Sequence, residues 1–168
     1  MVGRLRAPAL GLVVALLAGP SAWAGPERTP AAGLPAMEIS VGAGWSVARR
    51  SESTLFIVSD DHTCAVAVGV VAVSGAGDAS LDQAAAAILG GLGADPVATP
   101  TAASLAGRPG RAYPSVTHPG EGAVRLVLTR LDPAHVATVV ILSKDKTTPA
   151  GRRALEAEAA TVKLLVAP

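Results

Sequence analysis

The dominant pattern along the chain is a series of short apolar segments separated by polar, turn-forming residues. The clearest segment, TCAVAVGVVAV at residues 63–73, is rich in β-branched side chains and apolar at both odd and even positions. Because alternate residues of a strand point to opposite faces, this segment predicts a central strand in a sheet that is covered on both sides. Similar runs predict further strands at residues 37–41, 45–49, 55–58, 101–105, 112–116, 124–131 and 135–143.

Two segments have helical periodicity instead. At the start of the first, Ser80 and Gln83 match a capping box, whose side chains satisfy free backbone N–H groups. Apolar residues then recur at helical spacing, at Leu81, Ala84, Ala85, Ile88 and Leu92. Glycines favour the left-handed conformation that ends a helix, and they follow at Gly90, Gly91 and Gly93.

The second helix is predicted to begin at Pro149, where the missing N–H of proline costs nothing. One face is apolar and is formed by Leu155, Ala159, Val162 and Val166. On the other face, Arg152 and Glu156 are four residues apart, a spacing that allows an ion pair.

The order of the predicted elements is strands, helix, strands, helix. Short turns at Pro109-Gly110, Pro119-Gly120 and Asp132-Pro133 separate the later strands. Strands joined by short turns pair antiparallel. We therefore predict an α+β fold, an antiparallel β-sheet with helices on both faces, in a single domain over residues 37–168.

The N-terminal residues have the features of an export signal. Arg4 and Arg6 precede an apolar run at residues 7–18, and Ala22 and Ala24 form the A-x-A pattern that a signal peptidase recognises. The run is shorter than the roughly 20 residues of a membrane-spanning helix. We predict a signal peptide over residues 1–24, export to the periplasm or outside the cell, and a mature chain without a transmembrane segment. The alternative is an uncleaved amphipathic anchor.

After the predicted cleavage site, residues 25–36 (GPERTPAAGLPA) have no periodicity and are predicted to be a flexible leader. Loss of Arg4 and Arg6 with the signal leaves a chain close to neutral. Such a chain has no electrostatic basis for binding nucleic acid or an anionic membrane. Cys64 is the only cysteine, so the chain has no internal disulfide.

Four short motifs resemble the PsbP-like superfamily, which includes extrinsic photosystem subunits and exported bacterial relatives and shares its fold with a Ran-binding nuclear-import factor. They are I-x-V-G-x-G-W-x-V at residues 39–47, T-L-x-I-V at 54–58, S-L-D-Q at 80–83 and L-A-G-R-P-G at 105–110. The resemblance implies an αβα sandwich and a binding or accessory role. It carries over no metal site and no partner site.

The segment DDHTC brings Asp60, Asp61, His62 and Cys64 together in sequence, which suggests an active site, a metal site or a hairpin tip. Same-face positions of a strand lie about 6.5–7 Å apart, which is long for a cysteine nucleophile and its base. A zinc site needs more ligands, and the other histidines, His118 and His135, lie beside other turns. We predict a hairpin tip with Cys64 in the core, and no catalytic or metal-binding residue.

A second segment, SGAGDAS at residues 74–80, resembles a dinucleotide-binding loop because it follows a strand and opens a helix. The third glycine of such a loop is Ser80 here, and Asp78 places negative charge where a pyrophosphate would lie. We therefore interpret the segment as a connection and predict no cofactor.

Three residues remain as candidates for ligand binding. Arg108 and Arg111 flank the predicted turn at Pro109-Gly110 and could hold a carboxylate or phosphate together. The alternative for them is a solvated basic turn. Trp45 is either a packing residue or an anchor on a binding surface.

These features favour an exported, non-catalytic binding or accessory protein of the cell envelope, whose partner is an envelope protein or a small ligand. One alternative is a secreted hydrolase with His62 or His118 as its base. Another is a structural subunit of an envelope complex.

The signal-peptide hypothesis determines the N-terminus of the mature protein. Mass spectrometry of the protein from its native host should find Gly25 as the first residue, because cleavage follows Ala24. A protein in the envelope fraction that retains Met1 would contradict this hypothesis.

Overall fold

Two antiparallel sheets and two helices make up the described part of the chain. The computed structural model describes residues 25–29, 36–75, 77–117 and 122–165. The strands are β1 (Gly25–Arg28), β2 (Ala36–Val41), β3 (Trp45–Arg50), β4 (Thr54–Ser59), β5 (Cys64–Ala72), β6 (Ala94–Pro96), β7 (Thr101–Leu105), β8 (Arg108–Thr117), β9 (Gly122–Asp132), β10 (His135–Lys144) and β11 (Lys163–Leu165). The helices are α1 (Asp78–Gly91) and α2 (Pro149–Ala159).

The larger sheet has the strand order β3-β4-β5-β10-β9-β8-β6, with β7 paired to β8 beside β6. Strands β1, β2 and β11 form a separate small sheet in the order β1-β2-β11. Strand β5 lies between β4 and β10, which confirms the central strand expected from its apolar sequence. The predominance of antiparallel pairing together with two helices confirms the predicted α+β class.

Each helix packs against its own set of sheet residues. The α1 cluster consists of Leu81, Ala85, Leu89, Ala94, Tyr113, Val124, Leu126, Leu128, Val136 and Val140. The α2 cluster includes Leu155, Ala159, Val66, Val68, Val127, Val139 and Ile141, together with Met37, Ile39 and Val41 of the small sheet. Along β10, Val140 packs with α1 whereas its neighbours Val139 and Ile141 pack with α2. Successive residues of β10 therefore pack in the clusters of different helices.

The short connection between β2 and β3 does not form the expected antiparallel pair. The two strands lie in different sheets, so the rule that short turns join paired strands was wrong here. The end of β2 is instead bound to the C-terminal end of α2. The Ser40 N–H donates to Thr161 Oγ1 (3.1 Å), and the Gly42 N–H donates to Glu158 Oε1 (2.9 Å).

Part of the segment predicted to be a flexible leader is the strand β1. Gly25 pairs with Val41 and Arg28 pairs with Glu38, so β1 follows β2 over its whole length. An ion pair between Arg50 and Glu27 also connects β1 to β3 of the larger sheet. Backbone pairing and an ion pair hold residues 25–28 in place although their sequence lacks an apolar pattern.

The start of α1 also differs from the capping box predicted from Ser80. The helix begins at Asp78 after Gly77, whose φ of 79° favours glycine. Ser80 lies within the first turn, and its hydroxyl donates to the Gly77 carbonyl (2.8 Å). The Arg130 guanidinium donates to the same hydroxyl, so the Ser80 side chain is occupied by contacts other than a cap.

The turn before β8 lies earlier than Pro109-Gly110. Both of those residues belong to β8, and the chain reverses at Ala106 and Gly107, which have φ values of 51° and 79°. A side chain at Gly110 would overlap the carbonyl group of Leu128 on β9. The glycine is therefore needed for a close approach of two strands and not for a turn.

Helix α2 begins at Pro149 as predicted. Thr148 caps it by accepting a hydrogen bond from the Gly151 N–H (3.1 Å). Leu155 and Ala159 are buried as expected, whereas Val162 follows the end of the helix and Val166 lies outside the described residues. The predicted partner of Glu156 was wrong, because Glu156 binds Arg125 of β9 and not Arg152.

Candidate functional site

The DDHTC segment forms the tip of the β4–β5 hairpin. The His62 N–H donates to the Ser59 carbonyl (2.8 Å), and His62 has the left-handed φ of 55° that closes the turn. Asp61 accepts hydrogen bonds from the Ser59 hydroxyl (2.6 Å) and the Thr63 N–H (3.0 Å). These bonds, with the Ser59 contact as the largest influence, hold the pKa of Asp61 below its ordinary value. The two aspartates are turn residues, as predicted.

Cys64 is a core residue, also as predicted. Its side chain is 5% exposed, and Sγ lies 3.9 Å from both Thr147 Oγ1 and the Gly151 carbonyl oxygen. The thiol is therefore packed under the first turn of α2. In the described part of the chain, no group of three or more His, Cys, Asp or Glu side chains could hold a metal ion.

The loop that resembles a dinucleotide-binding motif is occupied by an arginine. Arg130 donates to the carbonyls of Gly75 (3.4 Å) and Gly77 (3.2 Å) and to the Ser80 hydroxyl. A phosphate-binding loop presents backbone N–H groups to an anion. This loop presents carbonyls to a cation, which agrees with the interpretation of the segment as a connection.

The two candidate arginines lie on opposite sides of β8. Arg111 precedes Tyr113 by two residues on the α1 side and binds Asp78 (3.0 Å) and Asp82 (3.5 Å) of α1. Arg108 is on the other side, where Nη1 donates to the Leu131 carbonyl (3.3 Å). The structure therefore does not bring the two guanidinium groups together on one side of β8.

Arg111 also belongs to a hydrogen-bonded cluster that supports α1. The Tyr113 hydroxyl donates to Asp82 Oδ1 (2.8 Å), and the Arg111 guanidinium lies 6.0 Å from the centre of the Tyr113 ring. Burial and the Asp82 contact raise the pKa of Tyr113 above its ordinary value. These contacts fix the first turn of α1 against β8.

Trp45 is 7% exposed and belongs to the α2 cluster. Its position corresponds to the packing alternative and not to an anchor on a binding surface. The structure therefore does not bring Trp45, Arg108 and Arg111 together. Ligand binding by Arg108 or Arg111 alone stays a prediction.

A pair of His135 and Asp132, which the sequence analysis did not identify, lies at the β9–β10 turn. His135 Nδ1 is 2.9 Å from Asp132 Oδ2, and this hydrogen bond is the main cause that lowers the pKa of Asp132. A base oriented by a carboxylate is part of a hydrolase site. However, no hydrogen bond joins the His135 ring to a Ser, Thr or Cys of the described residues. The D-x-x-H spacing across a tight turn was the signal available in the sequence.

Other predicted residues cannot be placed. His118, the alternative base of the hydrolase hypothesis, lies outside the described residues, as do Ala22 and Ala24 of the predicted cleavage site. His62, the other candidate base, is exposed on the hairpin tip.

A candidate site among the described residues is an open groove between α2 and the larger sheet, which we call the α2 groove. Its volume is about 150 Å³. The sheet contributes Val127, Val139 and Ile141 to its floor. The other lining residues are Ser104, Leu105, Arg125, Glu156, Ala159 and Ala160. A concave surface that combines apolar side chains with a few polar groups is a feature of binding sites.

The charged part of the α2 groove is a single ion pair. Arg125 Nη1 lies 3.2 Å from Glu156 Oε2, and the two side chains are 48% and 56% exposed. Small side chains at Ala159 and Ala160 leave the space beside the helix open. No sequence motif indicated this groove, because its residues come together only through the register of β9 and β10 and the position of α2 on the sheet.

Comparison with solved structures identifies the fold. The solution structure of cyanobacterial PsbP (CyanoP) from Synechocystis sp. PCC 6803 aligns over 89% of this chain and 98% of its own, with a TM-score of 0.56 and 10% identity. LpqN of Mycobacterium tuberculosis, a protein involved in cell envelope biogenesis, aligns over 84% and 92%, with a TM-score of 0.57 and 19% identity.

The fold is PsbP-like. This confirms the fold that the four sequence motifs imply. At sequence identities of 10% and 19%, the similarity establishes the fold and nothing about function. No protein-family model matches the chain, and no curated protein matches it in sequence.

The V-G-x-G-W motif of this PsbP-like chain has a structural explanation. A Cβ atom on Gly42 would lie 2.9 Å from Glu158 Oε2, so a side chain there would displace the carboxylate. Gly44 has a φ of 83°, which favours glycine in the connection to β3. Both glycines let the chain pass from the small sheet to the larger one beside α2.

Glu158 is the most deeply buried carboxylate of this connection. Its side chain is 6% exposed, and burial raises its pKa although the Gly42 N–H opposes the shift. In the pH range between the unfolded and the folded pKa, the folded state holds more protons. Glu158 therefore makes the protein less stable as pH rises through that range.

Replacing Glu158 with Gln should remove this pH dependence, because Gln keeps an acceptor for Gly42 and never ionises. At about pH 8 the variant should be more stable than the wild type, and near pH 4, at the ordinary pKa of Glu, the difference should shrink. Urea unfolding at both pH values measures the change, with Glu156→Gln as an exposed control. A difference that is equal at both pH values would contradict burial of an ionised Glu158.

Proposed function

We propose that this chain is an exported, non-catalytic accessory protein of the cell envelope, and that it binds a partner in the α2 groove. The groove is the observation that carries the proposal. It combines an apolar floor, small residues on the adjoining helix and one exposed ion pair. A surface of this kind offers binding energy through burial and selectivity through charge.

The roles of the other polar residues support a non-catalytic function. Asp61 is used within a turn, Arg130 within a loop, and Arg111 in the contact between β8 and α1. No hydrogen bond joins the His135 ring of the His135–Asp132 pair to a Ser, Thr or Cys of the described residues. Asp61, Arg130 and Arg111 thus have structural partners.

An envelope location is supported by two independent observations. The first is the basic start, apolar run and A-x-A pattern of residues 1–24. The second is the structural similarity to LpqN, which is itself involved in cell envelope biogenesis. Neither helix of the described residues is long and apolar enough to span a membrane. We propose cleavage after Ala24 and a single domain that includes β1.

We also infer that α1 and α2 cover opposite faces of the larger sheet, as in an αβα sandwich. The alternation along β10, with Val140 in the α1 cluster and Val139 and Ile141 in the α2 cluster, supports this arrangement. It leaves the α2 groove on the side of the sheet away from α1.

Site-specific photo-crosslinking in the native host tests the proposed function. A photo-reactive amino acid at Ala160, which is exposed and lines the groove, should form a crosslinked product in the envelope fraction. The matched control is Ala157, which is exposed on the same helix and does not line the groove. Equal products at both positions, or a protein confined to the cytoplasm, would contradict the proposal.

A further inference from the structure

A second arginine lies beside the ion pair of the α2 groove, outside the residues that line the groove. Arg152 lies one helical turn before Glu156, on the same side of α2. Its side chain is exposed and makes no ion pair with any described residue. Glu156 therefore stands between two arginines, Arg125 on β9 and Arg152 on α2, and is bonded to only the first.

The size of the groove indicates what kind of occupant it accepts. Pockets for whole small molecules measure about 300–1,000 Å³. At about 150 Å³ and open to solvent, the groove has room for a group of about the size of a benzene ring. It accommodates one apolar side chain, and the rest of the occupant must find its contacts outside the groove.

Apolar surface for those further contacts continues from the groove along β9. Ala123, Arg125 and Val127 occupy alternate positions of β9, and Ala123 pairs with Val116 of β8. The only exposed large hydrophobic residues of the described chain, Val97 (57% exposed) and Val116 (36%), lie in this region. Val97 is bonded through its N–H to the Pro114 carbonyl (3.0 Å), next to Arg125 in the register.

We propose that the α2 groove accepts an apolar side chain of a partner protein that has an Asp or Glu beside it. The incoming carboxylate binds Arg125, and Glu156 turns to Arg152. The apolar surface at Val97, Val116 and Ala123 contacts the neighbouring residues of the partner. This inference rests on the proposed function, and it specifies the chemistry of the partner.

The exchange of ion pairs makes an acidic occupant favourable. Exposed ion pairs such as Arg125–Glu156 contribute little to stability, so the pair can be exchanged at small cost. Arginine can hold an incoming carboxylate with two parallel hydrogen bonds. Because Arg152 is available four residues away, Glu156 is not left as an uncompensated charge beside the bound acid.

A randomised peptide-display library provides the probe, selected on the folded mature protein. The wild type should enrich peptides that place Asp or Glu next to a large apolar residue. Arg125→Glu should shift the enrichment to Lys or Arg. Ala160→Trp, which fills the groove, should abolish enrichment, whereas the exposed control Ala157→Trp should not. Circular dichroism melting establishes that each variant is folded.

Affinities of one selected acidic peptide then test the exchange itself. Arg125→Gln should weaken binding by about tenfold, the scale of one charge-assisted hydrogen bond. Arg152→Gln should weaken binding when Glu156 is present, because the displaced Glu156 then loses its second partner. In a Glu156→Gln background, Arg152→Gln should have no effect, because no displaced carboxylate needs a partner. Equal effects of Arg152→Gln in both backgrounds would contradict the exchange.

The outcomes separate this inference from the proposed function. Enrichment that Ala160→Trp does not reduce would show that the groove is not the binding site, which contradicts both. Groove-dependent enrichment of apolar peptides without acidic residues would contradict only the proposal that the partner has an Asp or Glu beside its apolar side chain. A library without any enriched peptide would contradict the inference of a peptide partner, while a groove-dependent crosslink in cells could still support the proposed function.

Discussion

The register between β5, β10 and β9 is the constraint on which the rest of the structure depends. Val139 of β10 pairs with Val68 on one side and Val127 on the other, and all three belong to the α2 cluster. Val140 of β10, and Leu126 and Leu128 of β9, belong to the α1 cluster instead. A slip of one residue would exchange the two sets of side chains. The register thus determines both cores, and it also determines that Val127, Val139 and Ile141 form the floor of the α2 groove.

A second group of contacts determines where α2 lies on that floor. Glu158 and Thr161, at the C-terminal end of the helix, bind the backbone of Gly42 and Ser40. The other end of α2 is capped by Thr148 and packs over Cys64. With both ends held, Ala159 and Ala160 are placed beside the sheet where a larger helix residue would close the groove. The small sheet, through β2, therefore positions the candidate site without lining it.

The sequence predicted the parts of the fold that depend on local apolar pattern. Strand β5 was predicted from apolar residues on both of its faces. The start of α2 was predicted from Pro149, whose missing N–H costs nothing at the first position of a helix. The pattern could not reveal that β2 and β3 lie in different sheets, because the bonds from Glu158 join residues far apart in the chain. Strands β6 and β11 have three residues each, too few for a period to be recognised. At the candidate site, Glu156 was expected to bind Arg152 by helical spacing, and only the tertiary structure brings it to Arg125.

The proposed function requires the α2 groove to be open to an apolar group of about the size of one side chain. Methyl NMR spectra of the folded protein with and without benzene test this most directly, because benzene is an apolar probe of that size. We expect benzene to shift the methyl signals of Val127, Val139 and Ile141, which line the groove. The signals of Leu126 and Val136, in the α1 cluster, should stay unchanged. Unchanged signals from all three groove residues, or equal shifts in both sets, would contradict the claim.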